Sequence, residues 1–322
     1  MLNQYIRKLT TSVTHTQRPI DTVRRFDRYD FNPFTFLRYQ RLRKNRKMRL
    51  KEKRCVVTGS KLISELLCRS KPPFIQHLYL DGGSEPEFER NRWEKEAKRQ
   101  KIDVTLTLPV STSREYNFLK MTGLSGHNDG VACELDAPLL YNARDAAKLV
   151  ANTPNARILV LDGLQDPGNV GTLIRSAYLF QWDLICLGTG TADSSNDKVM
   201  RASGGTVWDA PMYSGTIDKL MNNVMKYSNY SVTYMVGDIE GSSESSTDES
   251  SHESDVVDVL KINLRENATV VLVLGNEGNG STTPVPDSVI HSKKVTLKTR
   301  KSTVGSLGVA SAGAILLHNL AS

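Results

Sequence analysis

The chain has 322 residues, 39% hydrophobic and 24% charged, with a formal net charge of +7 at neutral pH, a size that suits two compact domains plus extensions. Its longest apolar stretches, "RILVLD" and "TVVLVLG", have strand length and fall far short of the roughly 20 apolar residues of a membrane-spanning helix, so a soluble protein without a membrane partner is expected. Cys55, Cys68, Cys133 and Cys186 are scattered and form no cluster with the six histidines, which disfavours a zinc site or a disulfide framework, predicts four small core residues in a reducing compartment, and leaves no metal to expect.

Charge is unevenly spread along the chain. Residues 1–54 carry 16 Lys/Arg against 4 Asp/Glu, a net of +12, and the remainder carries 26 against 31, a net of −5. Such asymmetry fits an arm for a polyanion or an organelle-targeting segment, and the two are compatible. The first stretch, "MLNQYIRKLTTSVTHTQRP", has Arg7, Lys8 and Arg18, many Ser/Thr, and no acidic residue before Asp21. That composition is shared by transit peptides and by merely flexible termini, and import into a mitochondrion or another organelle is the expectation adopted. Next comes "FNPFTFLRYQRLRKNRKMRLKEKR", aromatics interleaved with cations. Cations can contact phosphates while Phe and Tyr stack on bases, although a solvated charge run has the same composition. Residues 1–50 are thus expected to form a basic N-terminal extension.

A small α/β domain is expected over residues 51–137. Strand "RCVVTG" is followed by helix "SKLISELLCR" with Ser60 as N-cap, strand "HLYLD", helix "EPEFERNRWEKEAKRQ", strand "IDVTLT", helix "STSREYNFLKM" and strand "GVACELD". A helical linker, "YNARDAAKLVAN", spans 138–155 and breaks at Pro154. The second unit, 156–322, alternates again. It runs through strand "RILVLD", helix "NVGTLIRSAYLF", strand "DLICLG", helices "SSNDKVMRAS" and "TIDKLMNNVMKY", and strands "SVTYMVG", "TVVLVLG" and "KKVTLK". It ends on helix "GVASAGAILLHNL". Apolar strands alternating with helices predict a mostly parallel sheet covered on both faces. Residues 238–258 hold eight acidic residues, seven serines and no Lys or Arg. They are expected to be a tolerated low-complexity insert, with a phosphorylation tail or a partner site as alternatives.

Three segments of the second unit place Gly, Asn or Ser where a strand's carboxyl end meets a turn, the position at which open α/β sheets bind ligands. They are "LDGLQDPGNVGTLIRSA" (161–177), "LGNEGNG" (274–280) and "VGSLGVASAGAILL" (304–317). None fits a P-loop or a dinucleotide fingerprint, and neither a G-x-S-x-G elbow nor an H-E-x-x-H pair occurs. Gly275, Gly278 and Gly280 would let backbone groups approach a ligand without side-chain obstruction, and Asn276 would orient the loop through side-chain to backbone bonds. Asp166-Pro167 reads as turn chemistry.

Taken together, the three segments resemble motifs one, two and three of the SpoU/TrmH branch of the SPOUT RNA methyltransferases, over roughly residues 156–322. The fragments "KEKRCVVTGSKLISELL" and "GHNDGVACELD" are similar to the L30-like RNA-binding domain that precedes many members. The resemblance implies an α/β fold with a mostly parallel sheet and a C-terminal trefoil knot. It also implies ribose 2′-O-methylation of rRNA or tRNA, S-adenosylmethionine as methyl donor, and a homodimer.

It places Asn169, Arg175, Glu277 and Ser306 among the catalytic group, and Leu274, Gly275, Asn276, Gly278, Leu297, Thr299, Ser306 and Leu307 around the cofactor. A guanidinium stays protonated, so Arg175 is read as binding substrate phosphate and polarising the 2′-hydroxyl. Glu277 would hold its loop, or engage Arg175 or a neighbouring subunit. Motif three departs from the family pattern. Its usual Ser-Leu-Asn reads "SLG", with Gly308 for Asn; the usual Ile-Pro-Met reads "LKT" (297–299), and the loop to Ser306 is one residue longer. Gly308 therefore keeps a second reading alive, a catalytically weakened RNA-binding or ribosome-assembly factor on the same fold.

Overall fold

The computed structural model describes residues 33–69, 74–81, 87–107, 117–123, 129–238, 256–262, 264, 267–276, 285, 291–297 and 307–321. The transit-like terminus, most of the acidic insert and the candidate residues Glu277, Gly278, Thr299 and Ser306 lie outside them. The chain divides into two compact units, Met1–Ala137 and Pro138–Ser322. Among the described residues no helix is long and apolar enough to cross a membrane.

The first unit begins earlier than the predicted boundary at residue 51. Helices α1 (Pro33–Lys44) and α2 (Arg46–Glu52) precede strand β1 (Arg54–Thr58), and α1 is part of the unit's core. Phe36, Tyr39 and Leu42 recur every third residue and are buried among Val56, Tyr79, Phe118, Met121 and Ala132. Tyr39 meets Tyr79 edge-on at 5.0 Å between ring centroids. Phe36 and Tyr39, aromatics read as available for base stacking, are therefore core residues, whereas Phe34 of the same helix is exposed. The helix is also held electrostatically. Arg38 Nη2 and Nε donate to Glu134 at 2.6 and 3.0 Å, and Glu134 is 2% exposed. A buried carboxylate without a cation would cost several kcal/mol, so the segment read as an extension completes the sheet it covers.

Helix α3 (Ser60–Leu67), strand β2 (Ile75–Asp81), helix α4 (Glu87–Gln100), strand β3 (Asp103–Thr107), helix α5 (Phe118–Thr122) and strand β4 (Val131–Asp136) complete the unit. The sheet order is β1-β4-β2-β3, parallel only between β2 and β3. Ser60 is not the N-cap. Gly59 takes that position at φ +108 and makes no side-chain cap bond. Instead Asp129 accepts from both Ser60 N and Ser60 Oγ, at 2.9 and 2.8 Å. The cap function comes from 69 residues away, beyond the reach of a local pattern. Cys68, expected in the core, is exposed, while the other three cysteines are buried.

The segment read as a linker also belongs to a core. Helix α6 (Ala143–Ala151), capped by Asn142, buries Ala143, Ala146, Ala147 and Val150 in the second unit. That spacing is the apolar stripe of a packed helix. Then follow β5 (Arg157–Leu161), α7 (Pro167–Leu179), β6 (Leu184–Leu187), α8 (Asp197–Ala202), β7 (Met212–Ser214), α9 (Ile217–Tyr227), β8 (Ser231–Asp238), β9 (Val256–Asp258), β10 (Ala268–Leu274), β11 (His291–Thr296) and α10 (Val309–Ala321). The seven strands run in the order β7-β6-β5-β10-β8-β11-β9, and every adjacent pair is parallel. The two shortest strands, β7 and β9, were not predicted; each edge strand has three residues, too few for a period to show. Strand β9 occupies the end of the acidic insert that reads as loop throughout.

Strand β10 is buried at all seven positions, as a central parallel strand must be. One face packs Ile158, Val160, Val271 and Val273 against α6 and α9. On the other, α10 settles against α7. A Cβ on Gly313 would lie 2.5 Å from Leu173 Cδ2 and 2.7 Å from Leu274 Cδ1, so the small residues of "GVASAGAILLH" serve close packing within this unit. Trp182 Nε1 donates to the Leu317 carbonyl at 3.1 Å, and Arg157 Nε to that of Leu320, anchoring the helix's last turns.

Candidate functional site

Strand order reverses beside β5. From β5 the chain proceeds through β6 to β7 on one side, whereas β8 and β11 lie on the other, with β10 inserted between β5 and β8. Crevices form at the carboxyl ends of strands at such a point. The ends of β5 and β10 are tied together there, since Asp162 N donates to the Leu274 carbonyl at 2.9 Å. The Leu161 carbonyl accepts from Gly188 N at 2.9 Å and from Thr191 Oγ1 at 2.8 Å. The rim of the sheet is therefore fixed by two backbone bonds and the Thr191 hydroxyl before any ligand arrives.

Glycines shape this rim. A Cβ on Gly188 would stand 2.9 Å from the Leu161 carbonyl oxygen and 3.4 Å from Asp162 Oδ1, so the loop after β6 can lie this close only with glycine. Below it, Asp162 is 2% exposed. Its charge adds to burial in pushing the Cys186 thiol up to about 12, which makes that cysteine an inert core residue.

Helix α7 carries the first motif. Asp166 is its N-cap, accepting from Asn169 N at 2.8 Å, and Pro167 opens the first turn, the arrangement that pre-sets a helix start. Asn169 is half-buried in that turn, and Arg175 is exposed further along. Six residues separate them, about 9 Å along the axis and about 120° around it. Gly171 lies between and allows close approach of α8, for a Cβ there would stand 2.5 Å from the Val199 carbonyl oxygen and 2.6 Å from Ala202 Cβ. Just beyond α8, Gly204 has φ +59, and a Cβ on it would stand 3.4 Å from Arg175 Nη1. The guanidinium of this exposed residue thus rests over a glycine at the α8 exit.

Of the residues expected around a cofactor, Leu274 and Gly275 are buried at the end of β10 and Asn276 is exposed immediately after them. Leu297 is half-buried just past β11, the strand on the other side of β8. Leu307 is 47% exposed ahead of α10. Gly308 takes φ +74, and its carbonyl accepts from Ala312 N at 3.1 Å as α10 starts. The structure thus brings Asn169, Leu274 and Gly275 to the side of the sheet where its strands end, with Arg175 a turn and a half further along α7. Sequence reasoning passed over Asp162, Gly188, Thr191 and Gly204. The signal for Asp162 lay in the first chosen segment itself, and that for Gly188 and Thr191 in "LGTGTADSS" (187–195), which stands at a strand end as the chosen segments do.

Residues 156–318 match the model of the SpoU rRNA Methylase family. An uncharacterized tRNA/rRNA methyltransferase of Borreliella burgdorferi is 31% identical over 192 residues, 58% of this chain and 74% of that protein. The 23S rRNA (guanosine-2′-O-)-methyltransferase RlmB of Xanthomonas campestris is 28% identical over 191 residues, 58% of this chain and 66% of that one. Among solved structures, an AdoMet-bound rRNA methyltransferase from Sinorhizobium meliloti aligns with a TM-score of 0.64 at 19% identity, covering 89% of this chain and 93% of that one. The SpoU methyltransferase AviRb from Streptomyces viridochromogenes aligns at 0.61 and 18%, covering 89% and 97%. At these identities the structural likeness concerns the fold.

Proposed function

The chain belongs to the SpoU rRNA methylase family, and we propose that it transfers the methyl group of S-adenosylmethionine to a ribose 2′-hydroxyl of rRNA or tRNA. One observation carries this reading: the first motif folds so that α7 starts just past the carboxyl end of β5, which is tied to that of β10, with Asn169 in its first turn and Arg175 a turn and a half further along. The relatives named above as rRNA and tRNA methyltransferases support it.

The residues present fit such a cofactor. The ends of β10 and β11 offer backbone groups at Gly275 and Leu297, beside the buried Leu274, and the apolar Leu307 precedes the start of α10. Uncharged amides and leucines suit an adenosine better than a bare phosphate would. When bound, S-adenosylmethionine supplies an electrophilic methyl group on a sulfonium. Arg175 donates hydrogen bonds to a phosphate and to the 2′-oxygen as negative charge develops there. Because a guanidinium does not give up its own proton at neutral pH, the hydroxyl proton passes to substrate phosphate or water. Asn169 orients the ribose from the first turn of α7, and the rigid rim excludes water from the reacting pair.

We further propose a homodimer, in which the exposed apolar Tyr178, Leu179 and Ile315 of the packed pair α7 and α10 meet a second copy. The C-terminal passage is read as a knot because α10 returns from β11 to lie over α7 and β10. The first unit is read as an L30-like substrate-binding unit, and import into an organelle rests on Arg7, Lys8 and Arg18 in an acid-free stretch. A fluorescent fusion of the full chain checks import.

The deciding experiment is Arg175→Ala. Calorimetry with S-adenosylmethionine is expected to show affinity within about threefold of wild type, while transfer of labelled methyl groups to total RNA falls about 100-fold or more. Full transfer by the variant would sink the assignment. Cofactor binding by wild type without any transfer would favour the second reading, an assembly factor, for which Gly308 speaks.

A further inference from the structure

The basic residues of α1 and α2 do not form one uniform charged face. Arg38 is committed to Glu134 and Glu52. Arg49 is 4% exposed, and its Nη1 donates to the carbonyls of Leu42 and Arg43, at 2.7 and 2.9 Å, closing the end of α1. Arg54 pairs with Asp136 at 3.0 Å. These three cations hold the unit together. A second set is arranged differently. Arg43 and Lys44 at the end of α1 and Lys120 on α5 line an open cleft of about 420 Å3 with Gln40, Asn117 and Gly123.

Among the described residues no carboxylate lines this cleft, and none of its three cations has an acidic partner there. The Arg43 Nε atom is buried without a hydrogen-bond acceptor among them, and a buried unpaired donor is costly. Its place is specifically cleared. Gly123, at φ +65, closes α5 as a left-handed cap, and a Cβ there would collide with the Arg43 guanidinium. The floor is rigid too, with Gln40 Nε2 donating to the Lys120 carbonyl at 3.0 Å and Asn117 Oδ1 accepting from Lys120 N at 2.9 Å. Three positive charges gathered on a braced floor, with no counter-charge among the described residues, suit an anion with several oxygens.

We infer that this cleft holds the phosphodiester backbone of the RNA substrate, through Arg43, Lys44 and Lys120. The inference rests on the RNA reading of the function and on the first unit as its substrate-binding part, and it assigns the phosphate contact there to one cleft, formed with a helix that precedes the small α/β sheet. Phosphate contacts of this kind set affinity and position without reading sequence. The cleft therefore governs KM for RNA and its salt dependence, and leaves kcat at saturating RNA unchanged.

The test uses the full chain and a fluorescein-labelled single-stranded RNA oligonucleotide, titrated by anisotropy at several salt concentrations. The variant Arg43→Gln/Lys44→Gln/Lys120→Gln is compared with Lys61→Gln/Lys98→Gln/Lys101→Gln. The second loses the same charge from exposed positions elsewhere on the first unit. At about 0.7 in slope per single-strand phosphate contact, the cleft variant should lower the slope of log affinity against log salt by about 2. A fourfold rise in salt then weakens wild type about 16-fold more than the variant, and the control stays close to wild type. Equal losses in both variants, or none in either, overturn the cleft. Displacement of the RNA by polyglutamate as readily as by unlabelled RNA overturns the choice of partner in favour of an acidic protein. A wild type that binds no RNA also defeats the inference, whereas failure of the methyltransferase reading shows separately, as absence of methyl transfer with RNA binding intact. Retained cofactor affinity and circular dichroism establish that each variant is folded.

Discussion

At position 308 the backbone takes φ +74, in the left-handed region where an L side chain costs roughly 1–2 kcal/mol. Glycine is at ease there, and asparagine is the commonest side chain to tolerate it. The departure of "SLG" from the family's Ser-Leu-Asn thus exchanges two residues suited to one conformation, and what is lost is a side-chain amide and not the turn. Gly308→Ala should lower unfolding stability by about 1 kcal/mol, and Gly308→Asn by less than half as much, read from urea midpoints. Equal losses would show that the left-handed conformation is not what the position demands. The same scale explains which charges a sequence can assign. Arg38, Arg43 and Arg49 are chemically identical letters within 12 residues, yet one neutralises a buried glutamate, one caps a helix and one faces a cleft. Only their neighbours separate them.

Among the elements, strand β2 carries a titration that should be felt as stability. His77 is held below its ordinary value of 6.5 by burial, with Asp103 and Glu134 pulling weakly the other way. Its ring lies 4.7 Å from that of Tyr79, and Nε2 is 2.6 Å from Thr105 Oγ1 on β3. The unfolded chain takes up a proton near pH 6.5 that the folded strand resists, so acid favours unfolding. Stability contributed by the neutral ring is present above about pH 6.5 and declines as pH falls below it, by at most about 1.4 kcal/mol per pH unit. Urea unfolding at pH 7.5 and 5.5 should show a smaller difference for His77→Asn than for wild type. An unchanged difference would assign the effect elsewhere. Elements also mark where periodicity ran out. The stripe of α6 was legible, but whether a helix links or packs is settled by what lies beneath it, here β5 and β10.

For the molecule as a whole, the packed helices α7 and α10 leave Leu179 61% and Ile315 42% exposed, an apolar surface that water does not favour. If a second copy covers it, Leu179→Lys and Ile315→Glu should each convert a dimer into a monomer in sedimentation velocity and reduce methyl transfer at least about tenfold, with cofactor affinity less affected. Variants that remain dimeric at wild-type activity would place the interface on another surface. The sheet itself was largely readable in advance. Continuous apolar strands such as "TVVLVLG" alternate with helices, and burial on both faces leaves that pattern in any parallel sheet.

What the chain determined on its own was local or repeated: the α/β alternation, the Asp166-Pro167 start of α7, the glycines at strand ends, and the family that three motifs in register identify. These follow from backbone sterics and from periods that neighbouring residues impose on one another. Tertiary structure alone decided the rest. It set β10 between β5 and β8, brought Asp129 to Ser60 and Arg38 to Glu134, settled Arg175 over Gly204, and turned the supposed basic tail into a helix that covers one sheet and lines a cleft. Each joins residues distant in sequence, and their pairing depends on burial and charge that exist only once the two surfaces have met.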